Sequence, residues 1–107
     1  MLQKKMMLLA FLLSFCLIAT QAWAHTPLCS CYDNGDNTVT CEGGFSDGSS
    51  ASGVNMRVEN KDGSVLSDGQ MSDTSEFTFD KPEGGYKVIF DAGEGHQIII
   101  DSSKIVE

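Results

Sequence analysis

The stretch Val54 to Met71 reads VNMRVENKDGSVLSDGQM. Val54, Met56 and Val58 alternate with Asn55, Arg57 and Glu59, and a period of two marks a strand with one buried face. Asn60-Lys61-Asp62-Gly63 then supplies a turn, because an Asp-Gly pair tolerates the positive φ that a tight hairpin needs. Ser64 to Met71 is expected to return beside the first strand. One antiparallel hairpin cannot bury its apolar face alone, so the neighbouring sequence must supply the rest of a sheet.

The segments on both sides read the same way. Upstream, Leu28 to Tyr32 and Thr38 to Gly43 are candidate strands around a turn over Asp33-Asn34-Gly35-Asp36-Asn37, and Gly44 to Gly53 (GFSDGSSASG) reads as a loop. Downstream, Glu76 to Phe79 puts Phe77 and Phe79 on one face, and Pro82, Gly84 and Gly85 close it. Tyr86, Val88 and Phe90 alternate with Lys87, Ile89 and Asp91. Gln97 to Asp101 is more fully apolar and is expected inside a sheet. No apolar spacing of three or four persists after residue 24, so no helix is expected there. Seven short strands punctuated by turns predict an all-β fold, a small two-sheet β-sandwich that buries Phe77, Phe79, Tyr86, Val88 and Phe90 together.

Residues 1–24 have the three parts of a cleavable signal peptide: Lys4 and Lys5, an apolar run from Met6 to Ala19, and Ala22-Trp23-Ala24 as a cleavage site. The apolar run is shorter than the roughly 20 residues that span a bilayer. Cys16 is preceded by Phe15 rather than a small residue and is read as part of the discarded leader, not as a lipid attachment site. The expected product is one periplasmic domain over 25–107, beginning at His25, with no membrane segment after cleavage. Its five cations face fifteen carboxylates, a formal charge of −10. Such a surface repels nucleic acid and anionic lipid and attracts metal cations or a basic partner.

Three cysteines remain, Cys29, Cys31 and Cys41. Cys29 and Cys31 are two apart and share a strand face. With the turn centred on Asp36, Cys31 falls opposite Cys41. Two arrangements follow. One is a cross-strand Cys31–Cys41 disulfide that leaves Cys29 spare; the other is a thiolate cluster of all three completed by a histidine, suited to zinc or copper(I). A thioredoxin-like role is disfavoured because the spacing is not Cys-x-x-Cys and no helix follows.

His25, once exposed by cleavage, joins an α-amine to an imidazole and can chelate a nickel, cobalt or copper ion through both nitrogens. His96 stands in the glycine-rich bend Gly93-Glu94-Gly95-His96, with Asp91 and Glu94 beside it as oxygen donors. The Asp33–Asn37 stretch lacks the ligand alternation of a calcium loop and reads as turn chemistry. No serine sits in a nucleophile turn and only two histidines are present, so no enzyme is expected.

On His25, Val39 with Phe45, Met56 with Val58 and Gly63, Phe77 with Phe79, and Ala92-Gly93-Glu94-Gly95-His96, the mature chain resembles the small periplasmic accessory proteins of nickel and cobalt importers. These have a transthyretin-like or carboxypeptidase-regulatory-like sandwich. The resemblance implies a protein that captures a transition metal ion, nickel or cobalt, through His25 and His96 and hands it to an inner-membrane metal importer. The three cysteines depart from that pattern. They leave open another metal, zinc or copper, or a disulfide-stapled structural or protein-binding module of the cell envelope.

Overall fold

Cys31 does stand opposite Cys41, in a ladder that pairs Pro27 with Phe45 at one end and Asp33 with Val39 at the other. These two strands, β1 (Pro27–Asp33) and β2 (Thr38–Phe45), begin a series of seven among the described residues. The others are β3 (Asn55–Asn60), β4 (Val65–Gln70), β5 (Glu76–Asp80), β6 (Tyr86–Asp91) and β7 (Gln97–Asp101). The computed structural model describes residues 25–107; the expected leader over 1–24, Cys16 included, lies outside the described residues. Both sheets are antiparallel, one ordered β1-β2-β5 and the other β4-β3-β6-β7, so the expected all-β two-sheet sandwich is the architecture found.

Turn chemistry sets the hairpins. Asp33 Oδ1 accepts from the Gly35 amide and Asp36 Oδ1 from the Thr38 amide, while Gly35 and Asn37 take positive φ. That centres the first turn on Asp36. At the second, Asn60 Oδ1 accepts from the amides of Asp62 and Ser64, and Gly63 has φ 89°.

Between the sheets lie Val39 and Cys41 of β2, Met56 and Val58 of β3, Phe79 of β5 and Tyr86, Val88 and Phe90 of β6, all buried. Phe77 is half-buried at the margin, beside Phe79. Ile105, after a single 3₁₀ turn over Ser102–Lys104, closes one end of the core. The Val106 carbonyl there accepts from the Asp33 amide, and Lys81 Nζ reaches Asp33 Oδ2 at 2.6 Å.

Two expectations need correction. Gln97 to Asp101 is not inside its sheet: β7 is an edge strand, and Ile99 is 63% exposed while Ile98 and Ile100 pack against the core. Three successive isoleucines cannot all face one side of a pleated strand, so the run reports β-propensity rather than two-sided burial. Strand β2 also runs past Gly43 to Phe45 instead of breaking at the glycine pair.

The second correction has a steric cause. A Cβ on Gly43 would lie 2.6 Å from Met71 Sδ and 2.7 Å from Phe90 Cε2. The missing side chain is the notch into which Phe90 and Met71 pack. Gly43→Ala is therefore expected to lower stability by about 1–3 kcal/mol through overpacking, read as a lowered urea midpoint. An unchanged midpoint would show that the notch has slack.

Candidate functional site

Because β1 and β2 pair about Asp36, residues 25 and 47 also come opposite each other, two residues beyond the Pro27–Phe45 pair that ends the ladder. The edges are tied there: the Ser46 amide donates to the Thr26 carbonyl, and the Thr26 amide donates to Ser46 Oγ. His25 is thereby held rather than frayed. Its ring stacks on Phe45 with centroids 4.1 Å apart and planes 11° from parallel, and its Nδ1 lies 2.8 Å from Asp47 Oδ2. Asp47 is itself oriented, since its other oxygen accepts from the Ser49 amide at 2.9 Å. Hydrogen bonds from Ser49, followed by the one from His25, hold the Asp47 carboxyl well below the usual carboxylate range.

Phe45 reaches across the sandwich to Phe90, with ring centroids 6.1 Å apart. Beside it is a shallow concavity lined by Phe45, Val54, Asn55 and the start of the next bend, Asp91 to Gly93. That bend carries His96. Its backbone is closed by bonds between Ala92 and His96 and between His96 and Gly93, with Gly93 and Gly95 at positive φ. Both histidines thus stand at the same end of the sandwich. His96 Nδ1 lies 3.2 Å from the Glu94 carbonyl oxygen. A carbonyl can only accept, so Nδ1 carries the proton and the neutral ring keeps its lone pair on Nε2. A backbone carbonyl on the distal nitrogen is also the usual support for a metal-binding imidazole. Asp91 is drawn the other way, into bonds with the Gly93 amide and Arg57 Nη1.

The sulfur site resolves differently from the histidine-completed cluster. Cys31 and Cys41 form a disulfide, and Cys29 is the spare thiol. While that bond stands, neither partner offers a thiolate. The three sulfurs nonetheless lie within 4.8 Å of one another, and among the described residues no histidine or carboxylate donor joins them. Cys29 is half-buried on the inner face of edge strand β1, and burial pushes its thiol up to about 11.

Sequence reasoning overlooked Asp47 and Phe45 as neighbours of His25. The signal was present, since the turn centre that pairs 31 with 41 also pairs 25 with 47. Compared against protein families, curated proteins and solved structures, the chain matches none of them. Among the described residues no helix is long and apolar enough to cross a membrane.

Proposed function

We propose that the mature protein is a periplasmic accessory protein that captures a borderline transition-metal ion, nickel or cobalt, and passes it on to an importer without catalysing a reaction. One observation carries the reading: the imidazole of His25 is fixed on Phe45 with Nδ1 2.8 Å from the Asp47 carboxylate. Only Nδ1 can close a six-membered chelate with the α-amine of the same residue. Two donors about 2.1 Å from one ion and at right angles lie about 3.0 Å apart, which is close to the spacing already present. An ion replacing the proton between Nδ1 and Oδ2 therefore gains amine, imidazole and carboxylate together. Among the described residues His96 is not gathered with His25 and Asp47 into one group of donors, so its Nε2, on the bend at the same end, would join the ion only as that bend moves toward it; the acidic surface draws cations toward the site. A site this open suits transfer, because a recipient can replace the donors one at a time.

Nickel titration of the oxidised protein bearing a native His25 terminus tests this. One ion per chain is expected. His25→Ala is expected to weaken binding roughly 100-fold or more, and Asp47→Asn and His96→Ala each roughly tenfold, in line with the loss of a supporting or peripheral donor. Absence of binding by the native-terminus protein, or equal affinity for His25→Ala, would overturn the proposal. An exported chain whose measured mass places its start elsewhere would remove the amine. The Cys31–Cys41 staple favours a plainer second reading, a non-catalytic stapled module whose acidic face contacts another envelope protein; that reading predicts no stoichiometric nickel.

A further inference from the structure

The histidine site leaves the sulfurs unused, and they form a group of their own. Cys29 and Cys31 alternate on β1, so both face inward beside Cys41. Cys29 pairs with Gly43, and the space over Gly43 holds the thioether of Met71, whose Sδ would lie 2.6 Å from a Cβ placed there. Met71 is 3% exposed. Three cysteine sulfurs, Cys41 buried and Cys29 and Cys31 half-buried, thus form one cluster with no histidine or carboxylate donor in it, and the buried Met71 thioether packs over the Gly43 that pairs with Cys29.

That donor set selects the ion. Around one metal at a bond length of about 2.3 Å, three sulfurs lie about 4 Å apart, within reach of the present 4.8 Å limit once the disulfide opens. Zinc asks for four strong donors in structural sites, whereas thiolates and thioethers favour copper(I). We propose that the reduced β1–β2 ribbon is a copper(I) site made by Cys29, Cys31 and Cys41 with Met71 as a neutral fourth donor, and that the Cys31–Cys41 bond keeps it closed.

Opening requires a dithiol reductant. Its two thiols become a disulfide, and its two electrons and two protons convert the Cys31–Cys41 bond to two thiols. Copper(I) then enters without changing oxidation state, and each cysteine that binds it releases its proton. Oxidation closes the site again, so loading follows the local thiol balance. This site is independent of His25 and of leader cleavage.

The test is an anaerobic copper(I) titration of the full domain, reduced with dithiothreitol and freed of it, against bicinchoninate as competitor. A sulfur-to-copper charge-transfer band saturating at one ion per chain is expected for the reduced protein and not for the oxidised one. Cys29→Ser, which keeps the disulfide pair, is expected to weaken binding roughly 100-fold, and the volume-conserving Met71→Leu roughly tenfold. His25→Ala should leave the affinity unchanged. Equal affinities for wild type and Cys29→Ser, or the same band from oxidised protein, would overturn the site. An unchanged affinity in Met71→Leu would overturn the thioether's role. Circular dichroism of the same samples guards the fold: strand signal lost on reduction and not restored by copper(I) would also overturn the proposal, because the ribbon would no longer present the sulfurs.

Discussion

Phe90→Ala is expected to destabilise the domain by about 3–5 kcal/mol, the cost of removing a large aromatic side chain from a packed interior. Phe90 has no exposed surface and lies at the meeting point of the sheets, against Phe45 and over the notch at Gly43. A domain of this size has a total stability of roughly 5–15 kcal/mol, so the variant is expected near the edge of folding. The measurement is urea unfolding at fixed pH, with the change taken from the midpoint at an unchanged slope. A loss below about 1 kcal/mol would mean that neighbouring side chains collapse into the space. The substitution also has a functional readout. Phe90 backs Phe45, and Phe45 is the surface on which His25 is stacked. The fraction of Phe90→Ala that remains folded should therefore bind nickel more weakly than wild type. Phe90→Leu, which keeps most of the volume, should recover much of both losses.

The strands were legible because turn chemistry and alternation are local. The Asp33–Asn37 turn fixed its own centre, and from that centre both the Cys31–Cys41 pairing and the 25–47 juxtaposition follow by counting. What could not be read locally was which face meets which. The order β1-β2-β5 against β4-β3-β6-β7 is set by packing between distant segments. Gly43 illustrates this. By sequence it is expected as the last residue of its strand, yet it lies within a strand that continues to Phe45, and its side chain is excluded by Phe90 and Met71 from elsewhere in the chain. Met71 was invisible as a sulfur donor for the same reason. Isoleucines 98 to 100 failed in the opposite sense, since a run of β-formers looks alike at the edge and the centre of a sheet. His96 was found as a residue, but its ready Nε2 depends on Nδ1 bonding the Glu94 carbonyl, a detail of bend geometry.

Replacing Cys31 and Cys41 together with alanine should cost about 3 kcal/mol through the unfolded chain alone, because the bond closes a loop of sequence separation 10. Cys41 is fully buried, so a cavity contribution adds to this. At roughly 4–8 °C per kcal/mol for a domain of this length, the melting temperature is expected to fall by about 12–24 °C or more. Calorimetry of the oxidised wild type and the double variant measures it, and a drop of only a few degrees would mean that the ladder holds the ribbon without the bond. The same variant separates the two metal readings. At a temperature where it remains folded, nickel binding at His25 should survive within about twofold, since Asp47 and Phe45 keep their places through the β1–β2 register and the Thr26–Ser46 bonds. Copper(I) binding should be lost, because two of its three thiolates are gone. Loss of nickel together with copper would instead tie both ions to one site. The staple, rather than the histidine end, would then be what the metal chemistry depends on.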